Sequence, residues 1–343
     1  MTEYETVRKI GSGNQGEVWL VENKNTNQYA AMKIYPKSRE SKCAKRELGI
    51  LRRFGGKGVP YLLDYREDEE YTYLVMEYID GSSLRELMNK QQVWSEKDCI
   101  DIASQIASIL FVFHSQSPAL IYGDLKPENI VVRQDRSVTL IDFGSVMEIG
   151  ERKRKVYGTK AYLPSEEDEV SPYRDTYALG VIMYEMLTGQ VLSQGIRSRK
   201  ADIRQLSSEC QKIMKKAVRI RKESGYVDAG NMYEDLMACQ KVLKEEKNMW
   251  KRMRSIKKKK NYYISDMKRV VMHGYKKGLG IFLVIMTLIG IWKSATQIEA
   301  AEQKTQISAQ EIPEPGILTQ EISVQEVPRD EYGRKILVRN VDN

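Results

Sequence analysis

Apolar and polar positions alternate around the glycine-rich stretch Gly11–Gly16, and Tyr29–Ile34 forms a second such run. Alternation at a period of two reads as strands, so residues 4–35 are expected to fold as strands around a turn, with Tyr29–Ile34 as one of them. Residues 39–53 read as a helix. Tyr71–Ile79 is a β-rich run closed by Asp80-Gly81. Beyond it the spacing becomes helical, at 95–114, 174–189, about 202–222 and 230–250, with one short strand pair near 130–141. Strands first and helices later predict an α+β chain in two lobes.

A different pattern begins at Gly278. The run Gly278–Trp292 carries no charge over 15 residues, about 22 Å at a helical rise. A spanning helix takes roughly 17–25 residues. The run is apolar on every face, which argues against an amphipathic core helix. Ser294-Ala295-Thr296 extends it, Lys277 and Lys293 can snorkel outward, and Tyr275 and Trp292 stand where interfacial aromatics belong. Residues 278–295 are therefore read as a transmembrane helix. Residues 296–343 are polar, contain Pro313, Pro315 and Pro328, and repeat the echo Gln310-Glu311-Ile312, Gln320-Glu321-Ile322 and Gln325-Glu326-Val327. They read as a disordered tail, the alternative being a segment that folds on binding.

With 343 residues, 41% hydrophobic and 30% charged, collagenous, mucin-like and wholly disordered classes are excluded. The net charge of +8 invites a nucleic-acid reading, but its distribution argues otherwise. Residues 241–277 hold 14 Lys+Arg against three acids, residues 294–343 sum to −4, and residues 1–240 are neutral. A basic cluster on the N-terminal flank of an apolar helix is the positive-inside signature. It places the large domain in the cytoplasm and the Lys257–Lys260 run against anionic lipid, with no nucleic acid expected. Cys43, Cys99, Cys210 and Cys239 form no CxxC pair, so neither a zinc site nor a disulfide framework is indicated. The first residues lack an apolar h-region, and no cleaved signal peptide is expected.

Gly11-Ser12-Gly13-Asn14-Gln15-Gly16-Glu17-Val18 has the form GxGxxGxV. Glycines let a backbone approach phosphates closely. A strand rather than a helix follows, which argues against a Rossmann unit and for a strand–loop–strand lid. Ala31-Met32-Lys33 then puts a lysine on a strand, suited to the α- and β-phosphates, and Glu47 on the next helix can pair with it, with Glu40 as the weaker competitor. Tyr122-Gly123-Asp124-Leu125-Lys126-Pro127-Glu128-Asn129 follows, and Asp142-Phe143-Gly144 comes 13 residues after Asn129. One carboxylate can accept the attacking hydroxyl's proton and a second can hold Mg²⁺. An amide oxygen supports a second metal position, and a lysine neutralises the moving phosphoryl group. Phosphoryl transfer asks for positioning and charge neutralisation above all, and this short set supplies both.

With these motifs in this order, residues 4–245 resemble the eukaryotic-type protein kinase family, and more narrowly the membrane-anchored serine/threonine kinases of bacteria. Gly158-Thr159, Tyr162 and Leu163-Pro164-Ser165-Glu166 stand where the family has GTxxYxAPE. Asp175–Val181 resembles its DxWxLGV helix start. The resemblance implies a two-lobed fold: an N lobe over 4–79, with a sheet and one helix, and a helical C lobe over 80–245. A basic juxtamembrane segment, 246–277, follows. It further implies Asp124 as catalytic base with Lys126 beside it, and Asn129 and Asp142 as metal ligands. ATP is expected against Ile10, Gly11, Gly13, Gly16, Val18, Ala31, Lys33, Glu47, Met76, Glu77 and Tyr78, with Met76 as gatekeeper. The cofactors implied are ATP and Mg²⁺, with Mn²⁺ as a substitute. The partners implied are protein substrates bearing Ser or Thr, and a homodimer is admitted.

There are departures from the family pattern. Gly123 replaces the arginine that receives an activation-loop phosphate, so switching at that spot is not expected. The proline and alanine of APE are reordered, and Arg219, Arg221 or Gly225 occupies the slot of the buried arginine that pairs with Glu166. These changes leave a pseudokinase scaffold as the alternative reading. His114 is read as structural packing, His273 as interfacial, and Arg152–Lys155 as a solvated charge run.

Overall fold

A computed structural model describes residues 3–13, 16–151, 159–164, 170–190, 203–218 and 225–277, together with scattered positions between 286 and 300. Packing divides the chain into two compact units, Met1–Glu245 and Glu246–Asn343. The expected membrane helix and tail lie almost wholly outside the described residues, as do Arg152–Lys155, Glu166, Arg219 and Arg221. Among the described residues no helix is long and apolar enough to cross a membrane.

The first unit opens with an antiparallel sheet of five strands in the order β1-β2-β3-β5-β4. The strands are β1 (Tyr4–Gly13), β2 (Gly16–Asn23), β3 (Gln28–Pro36), β4 (Leu62–Glu67) and β5 (Tyr71–Glu77). Strand β4 is missing from the sequence expectation because Asp64, Arg66 and Glu67 interrupt its apolar pattern. As an edge strand it tolerates those charges, and they discourage further pairing.

The alternation along β3 is realised as two faces. Ala30 and Met32 pack with Val21 and Val75 in a small cluster on one side. Tyr35, with Ala31 packed alongside, joins the main core on the other, where helix α1 (Lys37–Phe54) lies. That core continues through the C lobe: α3 (Glu96–His114), α4 (Tyr173–Thr188), α5 (Ser208–Ala217) and the first turns of α6 (Ala229–Lys277) contribute to it.

Between the lobes comes a short strand β6 (Gly81–Ser83), and then α2 (Leu84–Lys90). Ser83 caps α2 in a capping box with Glu86, an S-x-x-E signal present in the sequence. Helix α5 begins later than expected because Ser207 accepts from the Cys210 amide and fixes the start there. Helix α6 runs to Lys277 rather than stopping near 250. No proline interrupts it, and lysine, arginine and glutamate are good helix formers. All four cysteines are buried and none is in a disulfide.

Candidate active site

Four strands, β1, β2, β3 and β5, carry the cleft's roof, and their register gathers the expected residues. Gly11 stands opposite Val18 and Gly13 opposite Gly16, so the glycine-rich stretch closes the β1–β2 hairpin; Asn14 and Gln15 lie outside the described residues. Ile10 falls at a register shift in β1. Val18 pairs with Lys33, and Ala31 pairs with Met76. Cross-strand partners share a face, and so do residues two apart, so Val18, Ala31, Lys33 and Met76 lie on one side of the sheet. Gly16 has a φ of 143°, and a Cβ there would sit 2.1 Å from the Ile34 carbonyl oxygen, so only glycine fits. At the end of β5, the Glu77 amide donates to the Tyr61 carbonyl at 2.8 Å and its carboxylate accepts from Arg133 at 2.6 Å. Tyr78 follows directly.

Lys33 and Glu47 meet as expected. The Lys33 Nζ lies 2.9 Å from Glu47 Oε2 and 2.8 Å from Asp142 Oδ1. Lys33 is 5% exposed and Glu47 is fully buried. Burial alone would push the lysine's pKa down. The two carboxylates outweigh it and hold the ammonium above its ordinary range. For Asp142 burial would raise the carboxyl, but Lys33 outweighs it and Asp142 stays below the usual carboxylate range. Both partners are thus charged at neutral pH. The Phe143 amide donates to Glu47 Oε1 at 3.4 Å, which ties α1 to the residue after Asp142. Asp142 itself has a φ of 66°, a strained backbone held in place by its surroundings.

Across the cleft, Asp124 is gripped from three directions. Lys126 Nζ lies 2.7 Å from its Oδ2, the Thr159 amide donates to Oδ1 at 3.0 Å, and Asn129 Nδ2 donates to its carbonyl at 3.0 Å. With the Asn129 nitrogen engaged there, its oxygen is the end that can face a cation. Asn129 Oδ1 and the Asp142 carboxylate are hard oxygen donors suited to Mg²⁺. Among the described residues no three His, Cys, Asp or Glu side chains converge on one point. An ion on these two oxygens would be completed by phosphates rather than by an all-protein cage.

What positions these two loops was not read from the sequence. Asp175, at the start of α4, is 1% exposed. Its Oδ2 accepts from the Tyr122 amide at 2.7 Å, and its Oδ1 accepts from the Gly123 amide at 2.9 Å. His114 Nε2 lies 3.1 Å from Asp175 Oδ2, while His114 Nδ1 accepts from the Ala229 amide at 3.0 Å, so the ring proton sits on Nε2 and points at Asp175. His114 is structural, as the sequence reading held. Gly123 has a φ of 81°, where a side chain would be strained, and a Cβ would lie 3.0 Å from the Ser145 carbonyl oxygen.

Aromatic rings connect Phe54, Phe113, Phe143 and Tyr122 in a chain with centroid separations of 5.0, 6.1 and 5.7 Å. The Tyr122 hydroxyl donates to the Ile141 carbonyl. A second unread cluster joins α2 to α4: Arg85 pairs with Glu128 at 2.8 Å and with Glu185 at 2.6 Å, and Tyr162 donates to Glu185 at 2.7 Å.

Comparison with known proteins agrees with this geometry. The family model for the protein kinase domain matches residues 4–269. An Aurora kinase from Yarrowia lipolytica is 30% identical over 198 residues, covering 55% of this chain and 53% of that protein. A calcium/calmodulin-dependent protein kinase type 1B from Rattus norvegicus is 31% identical over 196 residues, covering 54% of this chain and 57% of that one. The cAMP-dependent protein kinase catalytic subunit PRKX from Mus musculus is 27% identical over 197 residues, covering 55% of each chain. The chain spans about half the length of these curated relatives. With a match over most of its length, and with Lys33 joined to Glu47 and Asp142, the chain belongs to the protein kinase domain family.

Proposed function

We propose that the chain is a serine/threonine protein kinase that uses ATP and a divalent metal, Mg²⁺ or Mn²⁺. The observation that carries this is the buried Lys33 held between Glu47 and Asp142, with the Ile141 amide beside Asp142 donating to the Asn129 carbonyl at 3.0 Å. Bound MgATP supplies the transferable γ-phosphoryl group. Lys33 holds the α- and β-phosphates, and Asn129 and Asp142 hold the metal. Asp124 accepts the proton of the incoming hydroxyl, and Lys126, within reach of Asp124, offsets negative charge that develops on the transferred group. Lys126 in the DLKPEN loop favours Ser and Thr over Tyr as acceptors. The relatives named above are kinases by name. In full-length protein given γ-labelled ATP, Lys33→Met is expected to lower incorporation about 100-fold or more. Phosphoserine and phosphothreonine should be the labelled products. Equal labelling of wild type and variant would remove Lys33 from the mechanism.

The same proposal extends to location. The uncharged run from Gly278 to Trp292, preceded by a stretch of +11, supports a single-pass anchor over 278–295. The kinase domain then faces the cytoplasm, residues 246–277 lie on anionic headgroups, and 296–343 lie outside. The full chain is expected to float with vesicles containing anionic lipid and to stay with them when DNA is added as competitor. Recovery with the DNA would favour the nucleic-acid reading of the charge.

A further inference from the structure

Tyr35 lies two residues beyond Lys33 on β3, so the two side chains share a face. It is 1% exposed. A buried phenol requires a partner for its hydroxyl, and the partner here is not a backbone carbonyl but Glu47 Oε2, the oxygen that also accepts from Lys33. The Tyr35 ring also stands 5.0 Å from the Lys33 ammonium. Glu47 therefore receives Lys33 and Tyr35 from the strand and the Phe143 amide from the loop. A fully buried carboxylate is costly unless such donors surround it.

Lys33 has two carboxylate partners at nearly equal distance, 2.9 Å to Glu47 and 2.8 Å to Asp142. It can keep Asp142 if Glu47 swings away with α1, so the Lys33–Glu47 contact alone does not hold the helix in place. The Tyr35 hydroxyl has no such second partner among its hydrogen bonds.

We propose that Tyr35 is a positioning residue: its hydroxyl locks Glu47 onto Lys33 from the strand side, so that β3 itself holds the phosphate-binding lysine ready. What Lys33 does with this readiness rests on the kinase reading; the lock itself does not. Burial, and then the charge of Glu47, push the Tyr35 phenol well above its ordinary range, so it stays a donor at all working pH values.

The test uses the full chain as wild type, Tyr35→Phe, Glu47→Gln and the double variant. Phenylalanine keeps the ring and removes only the oxygen. Tyr35→Phe is expected to lower kcat/KM for ATP about tenfold in the wild-type background and by less than about twofold in the Glu47→Gln background, because it acts through Glu47. Amide exchange over residues 42–54 should rise about tenfold while exchange over α4 is unchanged. Equal effects in both backgrounds, or unchanged exchange over 42–54, would overturn the proposal. A purely packing role would lower the unfolding temperature and raise exchange in both places, which also counts against it. If the wild type transfers no phosphoryl group, the kinase reading fails, and the exchange measurement alone decides the role of Tyr35.

Discussion

Asp124→Asn is expected to lower turnover about 10²–10⁴-fold at saturating ATP and Mg²⁺, while the Kd for ATP changes by less than about twofold. Asparagine matches the shape of aspartate but cannot take up a proton. In the native site the carboxylate is aimed by its neighbours: Thr159 on one oxygen, Lys126 on the other and Asn129 on the backbone carbonyl. None of the cleft-roof residues expected to contact ATP touches it. The loss should therefore fall on kcat and leave nucleotide affinity in place. Calorimetric titration with ATP and initial-rate kinetics on the same preparations separate the two. A fall in kcat of less than about tenfold would mean that Asp124 is not the base.

Asp175→Ala is expected to destabilise the domain by about 3–5 kcal/mol. The aspartate accepts from three buried donors: the Tyr122 and Gly123 amides and the His114 ring N–H. Removing it strands all three in the interior. For a domain of this size the melting temperature should fall by about 10 °C, read by thermal unfolding followed by circular dichroism. Asp175→Asn, which keeps one acceptor oxygen, should cost less. A loss under about 1 kcal/mol for Asp175→Ala would show that the loop before Asp124 is anchored by something else.

Much of the site was legible because its residues are close in sequence or sit in dense motifs. The DLKPEN and DFG segments singled out Asp124, Lys126, Asn129 and Asp142, and the Tyr29–Ile34 run put Lys33 on a strand. Glu47 was reached from helical spacing plus the need for a lysine partner. Asp175 illustrates the opposite case. It was read as the start of a helix, but its partners are 52, 53 and 61 residues away, and no local pattern connects them. Tyr35 was read as a strand residue, because period-two alternation says which face a side chain takes and not what its hydroxyl meets. The Arg85, Glu128, Glu185 and Tyr162 cluster spans up to 100 residues and rests entirely on tertiary packing. Strand β4 escaped for a different reason: edge position relaxes the apolar requirement that pattern reading depends on.

The account stands or falls on where the γ-phosphoryl group goes. The most direct measurement follows one reaction of the purified full chain with ATP, Mg²⁺ and a generic protein acceptor, quantifying ADP, inorganic phosphate and phosphorylated Ser and Thr together. The geometry predicts that ADP and phosphorylated hydroxyls form in equal amounts and that both nearly vanish in Asp124→Asn. ATP binding without ADP formation, or ADP matched by inorganic phosphate alone, would contradict it.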